Sequence, residues 1–272
     1  MWPTSWRPKP PEPGLPVKQL LRTPVVAWRL LRVLLHILRG VLTVALVLPW
    51  LGPAARHRQV QAWAQAALRA LGMRLVVEGQ PRPGATLLVA NHVSWLDITA
   101  IHAVCPQARF VSKAEVRRWP LLRHLSDAAG TLYLSRESRR DALRVVHQVS
   151  EALQAGDVVA VFPEGTTSDG RSLLPFHGNM LQAAIAVEVP VQPLALRYSD
   201  AESAISRAAP YIDQISLVAS VLAVVRARGL TLRVQWLPAR GSRHADRRAL
   251  AHTLRADIAE ALGLPAEAAA GH

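Results

Sequence analysis

Apolar positions along the chain follow two different spacings, and the change between them falls near residue 72. Over residues 25–71 apolar side chains recur every three or four positions, the spacing of one helical face. Beyond residue 72 the apolar runs are short, rich in β-branched residues and ended by Gly, Pro or polar residues, which predicts buried strands. These runs are MRLVVEG, ATLLVANH, ARFVSK, GTLYLSR, DVVAVFPEG, VPVQPLALRY and LTLRVQWL.

Helical patterns separate several of these predicted strands. The clearest covers residues 138–155, where apolar residues from Leu143 to Leu153 recur every three or four positions. A further helix, with alanine-rich ends, is predicted over residues 245–269. Strands that alternate with helices indicate an α/β fold, here a mixed, partly parallel sheet flanked by helices.

We predict three parts along the chain. Residues 1–24 are proline-rich and are predicted to be a disordered lead-in. Residues 25–71 are predicted to be a membrane-associated segment with two helices, the second over residues 56–71. Residues 72–272 are predicted to form the α/β domain.

Residues 25–52 are the most apolar stretch, and we predict a helix that lies in the membrane interface. Its uncharged half, residues 41–51, is only about half as long as the ~20 apolar residues that a spanning helix needs. A buried core helix and a single membrane span remain as alternatives. Four basic side chains share one face of the first half: Arg29, Arg32, His36 and Arg39. The arginines are expected to point toward lipid headgroups, and the Leu, Val and Trp side chains toward the acyl chains.

Composition narrows the choice of partner. Half of the 272 residues are hydrophobic, the mean hydropathy is +0.16 and the formal net charge is +13. Such a charge favours an anionic partner, although an arginine-rich surface can also reflect a GC-rich genome. No zinc-finger spacing, RNA-binding aromatic motif or dense basic tail is present, so we predict no nucleic-acid partner. The single cysteine, Cys105, excludes an intramolecular disulfide and a cysteine-based metal site, which fits a reducing compartment.

A histidine and an aspartate follow one of the predicted strands, in LLVANHVSWLD. Positions five apart lie about 140° apart around a helix, so His92 and Asp97 meet only if a turn precedes the helix WLDITAIHAV. Ser94 is predicted as the N-cap of that helix. A carboxylate held against an imidazole leaves the other ring nitrogen free to accept a proton from a hydroxyl. In the alternative interpretation Asp97 is only the acid of a capping box, or a favourable charge at the helix dipole.

Two further predicted strands end in groups that can hold an anion or a polar ligand. The turn after VVAVF contains Glu164, Gly165 and three hydroxyl residues, and glycine there allows backbone N–H groups to approach a ligand. The strand in GTLYLSR ends at Arg136, whose guanidinium can bind a phosphate or carboxylate, although it can also be an exposed charge at a helix start.

Four short sequence blocks occur along the chain in the order typical of a known family. They resemble the blocks of the glycerophospholipid acyltransferases of the 1-acylglycerol-3-phosphate acyltransferase (PlsC-like) family. NHVSWLD is similar to the NHxxxxD block, GTLYLSR to the second, FPEGTTS to the third and VPVQP to the fourth. SKAEVRRWPLL also resembles the segment between the first two blocks, and the likeness covers roughly residues 55–200. It implies a glycerolipid acyltransferase-like fold whose N-terminal helical pair docks on a membrane.

The resemblance also implies a role for each matching residue. His92 would be the general base that deprotonates the hydroxyl of a lyso-lipid for attack on an acyl thioester, and Asp97 would orient it. Val189 to Pro193 would help to shape an acyl-chain tunnel. No metal and no cofactor are expected beyond acyl-CoA or acyl carrier protein as co-substrate. Six residues would bind the polar head of the acceptor: Lys113, Arg136, Glu164, Gly165, Thr166 and Thr167.

Two departures from the family pattern leave the acceptor open. Thr167 stands where the third block commonly has arginine, and His177 stands where a lysine commonly follows. Both changes remove fixed positive charge from the expected headgroup site. This loss would weaken binding of a phosphate monoester more than binding of a less charged lipid. Lysophosphatidic acid, another lysophospholipid and lyso-ornithine lipid are therefore all candidates.

We expect an enzyme associated with the cytoplasmic face of the inner (plasma) membrane, with an anionic lipid surface as partner. A lipid-ester hydrolase that uses the same base, and a non-catalytic membrane-binding protein, are the competing hypotheses.

Overall fold

A seven-stranded sheet runs through the part of the chain that this computed structural model describes, namely residues 24–113, 132–134, 139–212 and 214–265. The order across the sheet is β1-β7-β6-β2-β5-β3-β4, and only the β6–β7 pairing is antiparallel. β1 and β7 therefore run against the other five strands, which confirms the predicted mixed, partly parallel sheet. The strands are β1 (Arg74–Glu78), β2 (Thr86–Ala90), β3 (Ala108–Lys113), β4 (Leu132–Leu134), β5 (Val158–Val161), β6 (Val191–Ser199) and β7 (Thr231–Trp236).

Helices cover both faces of this sheet. In chain order they are α1 (Pro24–Leu46), α2 (Pro53–Ala70), α3 (Leu96–Val104), α4 (Arg139–Gln154), α5 (Leu181–Ala186), α6 (Leu217–Arg226) and α7 (Arg247–Ala261). A 3-10 turn, Leu48–Trp50, joins α1 to α2. Helices α1, α2, α3 and α6 pack into one apolar cluster, and α4, α5 and α7 pack into a second cluster on the opposite face.

Strand β2 shows why the predicted strands are continuous apolar runs. All five of its residues are buried, because helices cover both faces of the sheet at this position. Leu88 and Ala90 point into the cluster that contains α3, whereas Leu87 and Val89 point into the cluster that contains α4. The strand ends at Ala90, and the chain leaves the sheet at its carboxyl edge with Asn91 and His92.

Each of the seven predicted strands is present, and the predicted helices are present with shifted ends. The predicted helix over 56–71 begins earlier, at Pro53, because proline is well suited to the first helical position. The helix predicted over 138–155 is Arg139–Gln154, and the C-terminal one is shorter than predicted, Arg247–Ala261. Residues 1–23 and 266–272 lie outside the described part.

Helix α6 was not predicted because its sequence, LVASVLAVVR, carries no polar stripe. Its core-facing side includes Val224 and Val225, while Leu217 and Val218 are exposed. An apolar helix rich in valine has no helical periodicity of polar and apolar positions, so the pattern alone does not distinguish it from a strand. Its N-cap, Ser216, accepts a hydrogen bond from the backbone N–H of Ala219.

The predicted orientation of the arginines of α1 toward lipid is wrong for Arg29. The Arg29 guanidinium donates to the carbonyl oxygens of Val225 and Ala227, at 2.7 and 2.9 Å, and so binds the C-terminal end of α6. This is a favourable place for a cation, because the last carbonyl groups of a helix lack partners within it. The His36 ring stacks on Trp63 of α2, with ring centroids 4.9 Å apart.

The outward side of α1 is instead largely apolar. Within the described residues, no helix has the length and hydropathy that crossing a membrane requires. The exposed apolar side chains of α1 are Val25, Trp28, Leu31, Leu34, Leu35, Ile37, Leu38, Leu42 and Leu46.

Candidate active site

His92 and Asp97 meet at the carboxyl edge of the sheet. His92 lies in the turn after β2, and Asp97 lies in the first turn of α3, as their spacing requires. His92 Nδ1 and Asp97 Oδ2 are 2.8 Å apart; 20% of the histidine side chain is exposed and none of the aspartate side chain is. Because a carboxylate only accepts hydrogen bonds, Nδ1 is the protonated ring nitrogen. Nε2 forms no hydrogen bond with any described residue, so its lone pair is free to accept a proton.

The Asp97 carboxylate accepts four hydrogen bonds. Besides His92, Oδ2 accepts from the backbone N–H groups of Val93 and Ser94, at 2.7 and 2.9 Å. Oδ1 accepts from the hydroxyl of Tyr198 on β6, at 2.6 Å. These donors hold the carboxylate in one orientation beside Nδ1 of the imidazole.

The prediction that Ser94 is the N-cap of α3 is wrong. The N-cap is Trp95, and Ser94 Oγ is buried with no hydrogen-bond partner among the described residues. The Asp97 side chain bonds back to Ser94 N–H, which is the acidic half of a capping box without the hydroxyl half. Asp97 thus shapes the turn and contacts the histidine with the same oxygen.

Glu164 ties the first motif to the third. Its Oε1 accepts from the backbone N–H of His92 at 2.6 Å, and its Oε2 accepts from the backbone N–H of Leu174 at 3.0 Å. The residue is buried, and burial raises the pKa of its carboxyl group. With both oxygens occupied by backbone donors, Glu164 positions the main chain at His92; a direct contact with substrate stays a prediction.

The His92 ring has a sheltered face and a fixed main chain. It stacks on Phe162, with ring centroids 4.1 Å apart and planes 13° apart. The His92 carbonyl oxygen accepts from the backbone N–H of Ser168 at 2.8 Å, so the turn after β5 closes over the histidine backbone. Gly165 in that turn has φ +72°, a conformation that glycine adopts without strain.

The remaining predicted site residues divide between the described and undescribed parts of the chain. Thr166 is exposed, and the Thr167 hydroxyl donates to the backbone carbonyl of Tyr211. His177, at the second departure from the family pattern, is exposed, with Cδ2 3.7 Å from the place of a Cβ on Gly165. Lys113 is the last residue of β3, and Arg136 lies outside the described residues. Their roles in binding substrate stay predictions.

The fourth block lies at the opposite end of the sheet. Val191 pairs with Leu87 at the start of β2, five residues before His92, which corresponds to roughly 16 Å along a strand. Among the described residues, no group of three or more His, Cys, Asp or Glu side chains could hold a metal ion. The role of Val189–Pro193 in a tunnel stays a prediction.

Sequence reasoning missed Phe162 and Tyr198. Tyr198 is the last inward-facing residue of a row that begins with Leu194 and Leu196, so its alternation signalled a core position. The available signal was that this core position carries a hydroxyl, which a buried site must satisfy.

The chain is similar in sequence to known acyltransferases. A protein-family profile described as Acyltransferase matches residues 74–197. The 1-acyl-sn-glycerol-3-phosphate acyltransferase of Neisseria gonorrhoeae is 40% identical over 188 residues, which cover 68% of this chain and 72% of that protein. The lyso-ornithine lipid O-acyltransferase of Pseudomonas aeruginosa is 35% identical over 207 residues, covering 76% and 79%.

A solved structure shares the fold at lower identity. The 1-acyl-sn-glycerophosphate (LPA) acyltransferase PlsC from Thermotoga maritima has a TM-score of 0.67 and 19% identity, and the match covers 92% of this chain and 99% of that one. The identity and coverage of the relatives, together with the His92–Asp97 geometry, show that this chain belongs to the PlsC-like family of 1-acylglycerol-3-phosphate O-acyltransferases.

Proposed function

We propose that the protein transfers a fatty acyl group from an acyl thioester to the free hydroxyl of a lyso-lipid, with His92 Nε2 as the general base. The observation that carries the proposal is the polarity of the imidazole. Nδ1–H points at a fully buried carboxylate, which leaves Nε2 of the partly exposed ring as the proton acceptor.

The proposed step requires no covalent enzyme intermediate. The acceptor hydroxyl loses its proton to Nε2 as its oxygen bonds to the thioester carbonyl carbon. When the tetrahedral intermediate collapses, the C–S bond breaks and the imidazolium returns the proton to the departing thiolate. Asp97 stabilises the imidazolium between these two events, and Phe162 keeps water from one ring face. The donor is acyl-CoA or acyl carrier protein, the thioesters that the family resemblance implies.

Lysophosphatidic acid is the first candidate acceptor, since the relative that is 40% identical is named for it. Lyso-ornithine lipid is the second, and a specific observation favours it. Thr167 uses its hydroxyl to hold the segment at Tyr211, and His177 has an imidazole in place of a lysine ammonium group. Neither position supplies the fixed charge that a phosphate monoester with nearly two negative charges would need. Lys113 and Arg136 are proposed to supply the remaining positive charge.

We also infer that the enzyme works at the cytoplasmic face of an anionic membrane. The outward apolar side of α1 and the net charge of +13 support such a surface as its partner. This location brings the lipid acceptor to the enzyme without release into water.

Acyl transfer by the purified full-length protein in detergent tests the proposal. Acyl-CoA and acyl carrier protein donors would each be offered with lysophosphatidic acid, lyso-ornithine lipid and a diester lysophospholipid, and products identified by mass spectrometry. Wild type is expected to form product and His92→Ala is expected to lose it. His147→Ala is the matched control, because His147 is 73% exposed on α4, and α4 packs on the opposite face of the sheet from α3.

Each competing hypothesis predicts a different result. Fatty acid released at the same rate without any acceptor would identify a hydrolase. Equal activity of His92→Ala and wild type would refute His92 as the base, and the absence of transfer from both, with a folded protein and active donors, would contradict an acyltransferase acting on these acceptors.

A further inference from the structure

We propose that Tyr198 is a positioning residue for the acyl transfer, acting through Asp97 to set the orientation and the base strength of His92. The inference rests on the proposed function, since it concerns the same proton transfer. Tyr198 lies 101 positions from Asp97 in the sequence and outside the blocks that carry the family resemblance. Its hydroxyl donates to Asp97, and no hydrogen bond joins Tyr198 to His92 in the described part of the chain.

The contact between Tyr198 and Asp97 is short and dry. The phenol oxygen is 2.6 Å from Oδ1, and only 3% of Tyr198 is exposed. Burial and the neighbouring carboxylate both raise the pKa of Tyr198 well above 10, so its hydroxyl stays protonated and donates to the carboxylate. Hydrogen bonds to an ionised acceptor in such surroundings are about twice as strong as neutral ones.

Two hydrogen bonds join the residue after β2 to β6 and hold the Tyr198–Asp97 contact in place. The Asn91 side chain donates to the Leu196 carbonyl at 3.0 Å and accepts from the Leu196 N–H at 2.8 Å. Asn91 is the residue before His92, and Leu196 is two positions before Tyr198 on the same face of its strand. The register between the two strands is therefore held beside the histidine, and Tyr198 is delivered directly to Asp97.

The two oxygens of the Asp97 carboxylate accept from different donors, and this difference gives Tyr198 a chemical role. Oδ2 takes all three N–H donors of the turn, and Oδ1 has Tyr198 as its hydrogen-bond donor among the described residues. The phenol draws negative charge toward Oδ1 and so limits how strongly Oδ2 stabilises an imidazolium. Removing the hydroxyl leaves more charge at Oδ2, which makes the histidine a stronger base at rest and frees the carboxylate to rotate.

Tyr198→Phe in the full-length enzyme tests this role through kcat, the KM of the lyso-lipid and the pH profile of kcat/KM. We expect kcat to fall on the order of tenfold with the KM changed less than twofold, because the lost bond is to a charged group and not to substrate. The acidic limb of the profile is expected to move to higher pH by about half a unit. A second variant carries 3,5-difluorotyrosine at position 198; its stronger donor is expected to move the limb to lower pH.

Ser242→Ala is the matched control, since it also removes a buried hydroxyl that donates to backbone carbonyls, those of Ala184 and Val189, on the opposite face of the sheet. It is expected to lower stability and leave the pH profile unchanged. An unshifted acidic limb in both Tyr198 variants would overturn the inference, whether or not kcat falls. If the acidic limb does not shift but His92→Ala is inactive, the inference about Tyr198 fails and the proposed function stands. If His92→Ala keeps its activity, the proposed function is refuted as well.

Discussion

Replacing Asp97 by asparagine isolates the charge of the carboxylate from its geometry. An amide nitrogen at the Oδ2 position would face the N–H groups of Val93 and Ser94, so the amide is expected to place its oxygen there. Its nitrogen then lies at the Oδ1 position and donates to the hydroxyl of Tyr198, which rotates to accept. The variant therefore keeps the turn and the Nδ1–H tautomer of His92, and loses only the negative charge.

The size of the effect follows from the distance and the burial of the pair. Charges about 4 Å apart interact by about 4 kcal/mol at an effective dielectric constant of about 20, and the Asp97 side chain is 0% exposed. At about 1.4 kcal/mol for each factor of ten, loss of this stabilisation slows proton transfer by up to about a thousandfold. The screening that reaches the partly exposed histidine reduces the figure toward a hundredfold.

Steady-state kinetics with a saturating donor measure the prediction, and urea unfolding checks that the fold is kept. Asp97→Asn is expected to lower kcat by about a hundredfold to a thousandfold, with the acidic limb of kcat/KM moved to lower pH because the imidazolium is less stabilised. Activity within threefold of wild type in a folded variant would show that the charge of Asp97 does not assist the reaction.

Three further predictions concern the stability of the fold. Glu164→Gln leaves one of two buried backbone N–H groups facing an amide N–H, and is expected to lower the free energy of unfolding by about 1–3 kcal/mol, measured in urea, together with kcat. Burial lowers the pKa of His102 to about 4, so the unfolded chain binds its proton first as pH falls. The free energy of unfolding that this group contributes is fully present above pH ~6.5 and is lost as the pH falls toward 4. Between pH 7 and 5 wild type is therefore expected to lose about 2 kcal/mol of unfolding free energy that His102→Gln does not lose. Equal losses in urea unfolding at the two pH values would contradict this. Gly40→Ala places a Cβ 2.4 Å from Trp63 Nε1 and is expected to cost about 1–3 kcal/mol in urea unfolding, whereas Gly52→Ala, with nothing within 4 Å, is the control that should stay near wild type.

The elements of the fold were predictable because their signals are local. A strand between two helical layers is apolar throughout, and each of the seven runs ends within a few residues in Gly, Pro or a polar group. The turn between His92 and Asp97 was likewise predictable from eleven consecutive letters, LLVANHVSWLD, since residues five apart can meet only if a turn precedes the helix. Helix α6 escaped this reasoning because a helix without a polar stripe has no such local signal.

The sequence by itself therefore determined the strands, most helices, the His–Asp pair and the family. Only the tertiary structure decided what surrounds that pair, because the order β6-β2-β5 brings together residues far apart in the chain. β6 supplies Tyr198 to Asp97, and the turn after β5 supplies Glu164 to the backbone of His92. The tertiary structure also places Arg29 against the end of α6, whereas the periodicity predicted that this side chain faces lipid. The spacing of residues along the chain shows which side chains share a face of a helix or strand. Which other part of the protein that face contacts depends on the packing of elements that are distant in the sequence.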